Sequence, residues 1–150
     1  MMGQVTEVLL NGAMYRRYVN QRLTHVYERY ELNPADVKVI LFLKQCGKDE
    51  DRMCDIVRKE AVNKGLISQS VTKLAKRGML NLHADAGDRR VRHISLTENA
   101  EPVVHDLQSV YEAIHQEVFE GIDPEEMRAF SSVTRKIIEN LNHVALSEEE

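Results

Sequence analysis

The sequence has no tryptophan, and phenylalanine and tyrosine together make up only 5% of its 150 residues. Such a chain is not expected to build a large aromatic-lined substrate pocket. It has two cysteines, Cys46 and Cys54, without the spacing of a disulfide framework, which is typical of a reducing cytoplasm. No run approaches the roughly 18 apolar residues of a membrane span, and the N-terminus lacks the basic region of a signal peptide. These absences predict a cytoplasmic protein with no membrane partner.

The motifs that mark common catalytic sites are also missing. The sequence contains no glycine-rich phosphate loop, no nucleophile elbow and no helical His-Glu zinc motif. Six histidines are present, but no two have the close helical spacing of a ligand pair. Neither cysteine has another Cys or His three or four residues away. The sequence therefore predicts no catalytic site, no cofactor and no metal site.

What the chain does have is 43% apolar residues, enough for the core of a single domain. Its net charge of −4 is unevenly distributed, because the segment from Arg52 to Arg92 holds ten Lys and Arg against four Asp and Glu. That segment is therefore +6 and the rest of the chain is −10. A basic centre in an acidic frame predicts a surface for a polyanion, although a chance fluctuation of solvated charge would give the same count.

The basic segment contains a predicted helix from Asn63 to Gly78. Asn63 is a favourable N-cap, and Gly78 stands where a helix usually ends. Residues at helical spacing predict one buried stripe, which consists of Leu66, Ile67, Ser70, Val71 and Leu74.

The opposite face of this helix has no carboxylate. An ordinary solvated face mixes both signs of charge, so this composition indicates a face that contacts a polyanion. Its residues are Lys64, Ser68, Gln69, Thr72, Lys73 and Lys76.

Two short strands are predicted directly after the helix, at Leu80 to Ala84 and at Val91 to Ser95. The loop between them is charged and ends in arginines. A helix followed at once by a hairpin with a basic tip is the pattern of a winged helix. In that arrangement the helix enters the major groove of DNA, and the wing reaches the backbone or the next minor groove.

The run DRRVRHISLT, which begins at Asp88, resembles the wing signature of the MarR (multiple antibiotic resistance regulator) family. An Asp, an Arg two positions on and a Leu-Thr pair recur in that signature, and here they are Asp88, Arg90, Leu96 and Thr97. The family usually has Gly three residues after the Thr, where this chain has Ala100, so we expect that corner to turn differently. The resemblance covers residues 33–102 by motif and the flanking helices by pattern.

The resemblance implies a DNA-binding surface made of the helix face and the wing. Ser and Gln bond base edges, whereas Lys mostly contacts phosphate. By resemblance, Arg90 inserts into the minor groove, and Asp88 holds an arginine of the wing rather than touching DNA. The predicted DNA-binding residues are Lys64, Ser68, Gln69, Thr72, Lys73, Arg89, Arg90 and Arg92.

The predicted fold class is mainly α, a winged helix-turn-helix with a small β-hairpin wing and long N- and C-terminal dimerisation helices. We expect one domain over residues 1–150, with the winged-helix lobe at 33–98 and dimerisation helices at 1–30 and 99–146. Asn33-Pro34 opens the second helix, which Gly47 ends, and a third helix runs from Arg52 to Glu60. The second helix is expected to bury Val37, Ile40, Leu41, Phe42 and Leu43.

The last helix is predicted to begin at Asp123-Pro124, a strong start signal. Its apolar residues recur every three or four positions and indicate a surface that a partner subunit covers. They are Phe130, Val133, Ile137, Ile138, Leu141 and Val144.

The resemblance implies a transcriptional regulator, a repressor that binds a pseudo-palindromic operator as a homodimer and is released by a small-molecule effector. The effector cleft of the family lies between the dimer helices and the DNA-binding lobe, which makes Tyr15, Tyr18, His25 and Phe42 candidates by location. Two alternatives stay open: a winged helix used for protein contact, and a redox- or metal-sensing variant of the same regulator. Against redox sensing, Cys46 and Cys54 are expected to be small core residues.

Overall fold

The computed structural model describes residues 2–46, 51–60, 63–88 and 90–147. In these ranges the chain is mainly helical with one two-stranded antiparallel sheet, which confirms the predicted fold class. It divides into two compact units, Met1–Ile114 and His115–Glu150. In chain order the elements are α1 (Met2–Tyr30), α2 (Pro34–Gln45), α3 (Met53–Glu60), α4 (Lys64–Lys76), β1 (Leu80–Ala84), β2 (Arg92–Leu96), a 3₁₀ turn (Glu98–Ala100), α5 (Glu101–Val118) and α6 (Pro124–Ser147).

The start of α2 follows from its first four residues. The Asn33 side chain accepts a hydrogen bond from the Asp36 N–H at 2.9 Å, and the Asp36 carboxylate accepts one from the Asn33 N–H at 2.8 Å. This capping box, with Pro34 at the first helical position, satisfies amides that a helix start leaves without partners. The predicted start is confirmed. The helix ends at Gln45 with Cys46 as its cap, while Gly47 lies outside the described residues.

The core of the first unit draws on every helix from α1 to α5. Its fully buried side chains include Leu23, Val26, Val39, Ile40, Ile56, Ile67, Leu74, Ile94, Val103 and Leu107. Helix α2 buries Val37, Ile40 and Phe42 as predicted, whereas Leu41 and Leu43 are only half-buried. Burial of Val39 was not predicted. It arises because α2 is contacted on more than one side, by α3, α4 and β2.

The two strands form a hairpin in which Leu80 pairs with Leu96 and Ala84 with Arg92. The second strand therefore lies one residue later than the predicted Val91 to Ser95. An isolated antiparallel bridge joins Arg52 to His93, so one residue of the segment before α3 pairs with β2 in the manner of a third strand. The Ile94 N–H donates to the Asp51 carbonyl at 2.8 Å alongside that bridge.

Helix α4 ends at Lys76 with Arg77 as its C-cap, and Gly78 follows with a φ of +70°, a conformation that glycine adopts without a steric penalty. The Gly78 carbonyl accepts from the Thr97 hydroxyl at 2.6 Å and from the Asn99 side chain at 3.2 Å. The Thr97 N–H also donates to the Met79 carbonyl at 3.0 Å. The corner after β2 is a 3₁₀ turn in which Ala100 is fully buried. Ala100 does not have a positive φ, because Glu31 is the one described non-glycine residue that does. An alanine therefore fits this corner without backbone strain.

In the second unit, Gly121 has a φ of +76° and separates α5 from the capped start of α6. The Asp123 side chain accepts from the Glu125 N–H at 2.7 Å, and the Glu126 carboxylate accepts from the Asp123 N–H at 3.0 Å. This confirms the predicted start. Of the apolar residues predicted to share one surface of α6, Phe130, Val133, Ile137, Ile138 and Leu141 are exposed, and the Val144 side chain lies outside the described residues.

Candidate nucleic-acid interface

One side of α4 is fixed in the core and the other is presented to solvent. Ile67, Val71 and Leu74 are buried, as is Ser70, and the Asn63 side chain caps the helix by accepting from the Gly65 N–H at 2.7 Å. Residues 67, 71 and 74 follow a spacing of four and three, so they lie on one side of the helix. Burial of that side determines which face of the helix points outward. The helix is therefore held in one rotation about its axis.

The outward side of α4 carries five of the predicted DNA-binding residues, together with Lys76, and no carboxylate. Gln69, Thr72, Lys73 and Lys76 line a shallow depression of about 560 Å³, together with Ser68 and Arg77. Lys64, at the first helical position, is also exposed. Amide, hydroxyl and ammonium groups thus share one side of the helix. These are groups that bond base edges and phosphate oxygens.

Leu66 does not belong to the buried stripe, and that part of the prediction was wrong. Its side chain is 50% exposed. It precedes Ile67 by one position, about 100° around the helix axis, and so falls outside the 67–71–74 seam. It lines a hollow of about 460 Å³ with Gln69 and the first residues of α2. An apolar side chain therefore stands among the polar ones, where it can contact the methyl group of a thymine.

Lys73 has partners inside the chain. Its ammonium donates to the Asp36 carboxylate at 2.8 Å and to the Glu31 carbonyl at 2.7 Å. The Asp36 side chain is fully buried. No local pattern predicts this ion pair, because its members are 37 residues apart and only the tertiary fold brings them together.

The tip of the wing is organised by Asp85. One oxygen of its carboxylate accepts from the N–H groups of Gly87 at 2.7 Å and Asp88 at 2.9 Å. These bonds stabilise the ionised form. The Asp88 amide, then His93, then the Gly87 amide lower the pKa of Asp85 to about 2. Asp85 is therefore ionised at neutral pH and gives the wing loop a negative charge.

The predicted wing residues lie at this tip. Asp88 accepts a hydrogen bond from the backbone N–H of Arg90 at 2.9 Å. Arg90 and Arg92 are exposed, and Arg89 lies outside the described residues. Asp88 thus fixes the backbone from which the Arg90 side chain projects.

A second charged cluster, not predicted from the sequence, joins the loop end of the wing to the segment before α3. The His93 ring bonds through Nδ1 to the Asp51 carboxylate and through Nε2 to Asp85 at 3.1 Å. Both carboxylates favour the imidazolium, and the pKa of His93 is raised from its usual value, first by Asp51 and then by Asp85. The cross-strand neighbour His83 stacks on the ring at 5.6 Å. The strand register alone could have paired the two histidines, but nothing local indicated Asp51.

The four effector candidates do not line one cavity. Tyr15 lines a hollow of about 310 Å³ between α1, α2 and α5, with Val19, Tyr27 and Tyr111 among its other walls. His25 lines a different hollow of about 370 Å³ beside the Arg29–Asp106 ion pair. Phe42 is buried in the core, and half-buried Tyr18 packs against the same core. The hollow at Tyr15 has mainly apolar walls edged by Arg16 and Lys38.

The cysteines do not share one environment. Cys46 packs against the core at the end of α2, as predicted. Cys54 is exposed, so its prediction as a core residue was wrong. It lies on α3 next to buried Asp55, on the side that the core does not cover.

Within the described ranges, no group of three His, Cys, Asp or Glu side chains is arranged to hold a metal ion. Nor is any helix in those ranges both long and apolar enough to cross a bilayer.

No family model matches the sequence. Among solved structures, the transcriptional regulator PA3341 is 24% identical, with a TM-score of 0.79 over 95% of this chain and 99% of its own. A transcriptional regulator of the MarR family from Silicibacter pomeroyi is 22% identical, with a TM-score of 0.73 over 90% and 88%. S. aureus MepR, in a complex with DNA, is 17% identical, with a TM-score of 0.70 over 85% and 93%. Likeness at these identities establishes the fold.

Proposed function

We propose that this chain, which has the fold of the MarR-family transcriptional regulators, is a regulator that binds double-stranded DNA. The observation that carries the proposal is the carboxylate-free outward side of α4, beside a wing whose tip exposes Arg90 and Arg92. Both elements belong to the same compact unit. A helix and a basic hairpin on one surface suit a major groove and the adjacent backbone or minor groove.

Within this surface the residues divide into two groups. Gln69, Ser68 and Thr72 have the donors and acceptors that read base edges, and Leu66 offers an apolar contact. Lys64, Lys76 and the wing arginines supply positive charge for phosphate and for a narrow minor groove. The first group sets the preferred sequence, whereas the second group supplies most of the affinity.

The regulator acts as a homodimer. The support is the exposed apolar side of α6, where Phe130, Val133, Ile138 and Leu141 are each more than half exposed. Contiguous apolar surface of this kind is unfavourable in water and marks an interface. Two copies related by a two-fold axis place two α4 helices on half-sites about one helical turn apart, so the operator is a pseudo-palindrome. Bound there, the dimer acts as a repressor.

The effector is a small molecule that occupies the hollow at Tyr15. Val19, Leu23 and Val37 form its apolar floor, and Arg16 and Lys38 stand at its edge. Burial raises the pKa of Tyr27, whose hydroxyl donates to the Asn20 side chain at 2.9 Å and therefore stays protonated. A hollow with an apolar floor and a few polar groups is typical of a small-molecule site.

The test is a titration of the purified protein against DNA flanking its own gene and against a scrambled duplex, at several salt concentrations. If each subunit neutralises four or five phosphates, log K falls against log salt with a slope of roughly −7 to −9 for the dimer. Adding candidate effectors to the same titration reveals which of them releases the DNA. Binding that is absent or insensitive to salt would contradict the proposal and favour a winged helix that contacts protein.

A further inference from the structure

Lys73 stands among the DNA-facing residues of α4, but its contacts point to a different role. Its side chain is 38% exposed, and its ammonium lies 2.8 Å from a carboxylate that solvent does not reach. The same Asp36 oxygen also accepts from the Asn33 N–H at 2.8 Å, and the other oxygen is buried without a hydrogen-bond partner. A buried carboxylate is unfavourable unless a positive charge compensates it. Among the described contacts of Asp36, Lys73 is the cation that does so.

The ammonium has a second anchor in the turn between α1 and α2. It donates to the Glu31 carbonyl at 2.7 Å, and Arg77, the C-cap residue of α4, donates to the same oxygen at 3.4 Å. Glu31 has a φ of +50°, a conformation that costs energy for a residue with a side chain. The surrounding contacts compensate for that cost, and two of them come from α4.

These contacts bind α4 to the chain at two neighbouring points. Asp36 belongs to the first turn of α2, and Glu31 directly follows the last residue of α1. One lysine side chain therefore connects α4 with the end of α1 and the start of α2. A displacement of this turn would pull on the side of α4 that carries Gln69 and Thr72.

We propose that Lys73 is a positioning residue, which fixes the recognition helix on the α1–α2 turn through Asp36 and Glu31, and that it does not neutralise a DNA phosphate. The proposal rests on the DNA-binding function proposed above. It assigns the phosphate contacts on α4 to the exposed lysines, Lys64 and Lys76. Asp36, a buried residue of another helix, then affects DNA binding without touching DNA.

The two roles predict opposite results for Asp36. If Lys73 contacts phosphate, Asp36→Asn removes a competing anion and leaves DNA binding unchanged or tighter, and Lys73→Gln lowers the salt slope by about 0.9 for each subunit. If Lys73 positions the helix, each single variant weakens binding to the preferred duplex by roughly 5- to 30-fold without changing the slope. The double variant then binds no more weakly than the weaker single variant, because both substitutions break the same contact.

Lys76→Gln is the matched control, because it makes the same change three residues along the same helix at an exposed position. We expect it to lower the salt slope and to leave thermal stability unchanged. Lys73→Arg should restore binding and stability, because a guanidinium can still pair with the carboxylate.

Thermal unfolding tests the ion pair without DNA. Lys73→Gln leaves the Asp36 charge buried and uncompensated, so its Tm should fall by at least roughly 2–4 °C. The double variant Asp36→Asn/Lys73→Gln removes both charges and should be more stable than Lys73→Gln alone. A Lys73→Gln protein with unchanged Tm, or with a lowered salt slope, would overturn the proposal. If even the unsubstituted protein fails to bind duplex DNA, the proposed function is refuted, while the order of Tm values still tests the positioning contact.

Discussion

The imidazole of His93 bonds to the carboxylate of Asp51 across 42 residues of sequence, and this contact fastens the second wing strand to the segment that leads into α3. Next to it, the Arg52–His93 bridge and the Ile94–Asp51 backbone bond run between the same two segments. The wing is therefore tied to the segment before α3 by an imidazole whose pKa is raised, first by Asp51 and then by Asp85.

Stability should depend on pH through this contact. The pKa of His93 is raised above 6.5, by Asp51 first and by Asp85 second. The imidazolium therefore contributes stability fully below about 6.5, and that contribution is lost as pH rises through the higher folded-state pKa. The Asp85 partner, with a pKa of about 2, remains ionised over this range. The ring of His83 stacks on that of His93.

The measurement is Tm between pH 5 and 9 for the unsubstituted protein and for His93→Gln. We expect the unsubstituted protein to lose stability as pH rises through the upper part of this range, and the variant to lose less. His83→Gln is the control for the neighbouring ring. Parallel profiles for the unsubstituted protein and His93→Gln would refute a role of the contact in stability.

Dimerisation is best tested on α6. Deleting residues 1–30 would remove Leu23 and Val26 from the core of the first unit, so the resulting unfolding would say nothing about a partner. Ile138→Glu instead places a charge on an exposed apolar side. We expect it to shift the protein from dimer to monomer in analytical ultracentrifugation and to weaken operator binding by more than tenfold, because an unpaired charge in an interface is unfavourable.

Arg128→Glu is the control for the α6 experiment, since it puts the same carboxylate at an exposed polar position of the same helix. It should leave the dimer intact. A dimer that persists in Ile138→Glu and in the further variant Leu141→Glu would place the subunit interface elsewhere.

Arg90 and Gln69 are expected to contribute to recognition in different ways. Arg90→Ala removes a cation from the wing, so it should weaken binding to most duplexes and lower the salt slope by about 0.9 for each subunit. Gln69→Ala should leave the slope unchanged. It should cost about 1–3 kcal/mol on the preferred operator and relax the base preference at one position in each half-site.

Both variants are titrated against the operator and a scrambled duplex at several salt concentrations, with Arg128→Ala as the control for loss of an arginine elsewhere. If Gln69→Ala weakens both duplexes equally, α4 lies along the backbone and its placement in the groove is wrong.

Leu66 gives a separate prediction. If Leu66 contacts a thymine methyl group, Leu66→Ala should weaken binding to the operator. Replacing that thymine with uracil should weaken binding of the unsubstituted protein by the same factor. Combining the two changes should add nothing, because both remove one contact. Stability should barely change, since the side chain is half exposed. Additive losses at every thymine tested would exclude the contact.

Local signals explain which features were predictable. The start of α2 at Asn33-Pro34, the end of α4 just before Gly78 and the start of α6 at Asp123 each depend on residues within a few positions of one another. Cap and turn chemistry is encoded at that range. The outward face of α4 was equally predictable from the sequence, because helical spacing determines it once the buried side of the helix is recognised.

The remaining features depend on tertiary contacts. The partners of Lys73 and His93 lie 37 and 42 residues away along the chain, where no spacing rule reaches. Exposure of Leu66 and of Cys54 depends on which neighbouring elements cover a helix, and a helical pattern alone assigns residues beside a seam ambiguously. Lys73 is the clearest example, because the sequence places it and Lys76 on the same polar face of the helix, whereas the fold pairs Lys73 with buried Asp36.

The Gly78 carbonyl accepts hydrogen bonds from the Thr97 hydroxyl and the Asn99 side chain, so the residues after α4 and the residues after β2 meet at one peptide group. If α4 and the wing both contact DNA, as proposed above, these bonds hold the spacing between the two elements. We then expect a base pair inserted or deleted between the bases contacted by α4 and the groove contacted by the wing to weaken binding.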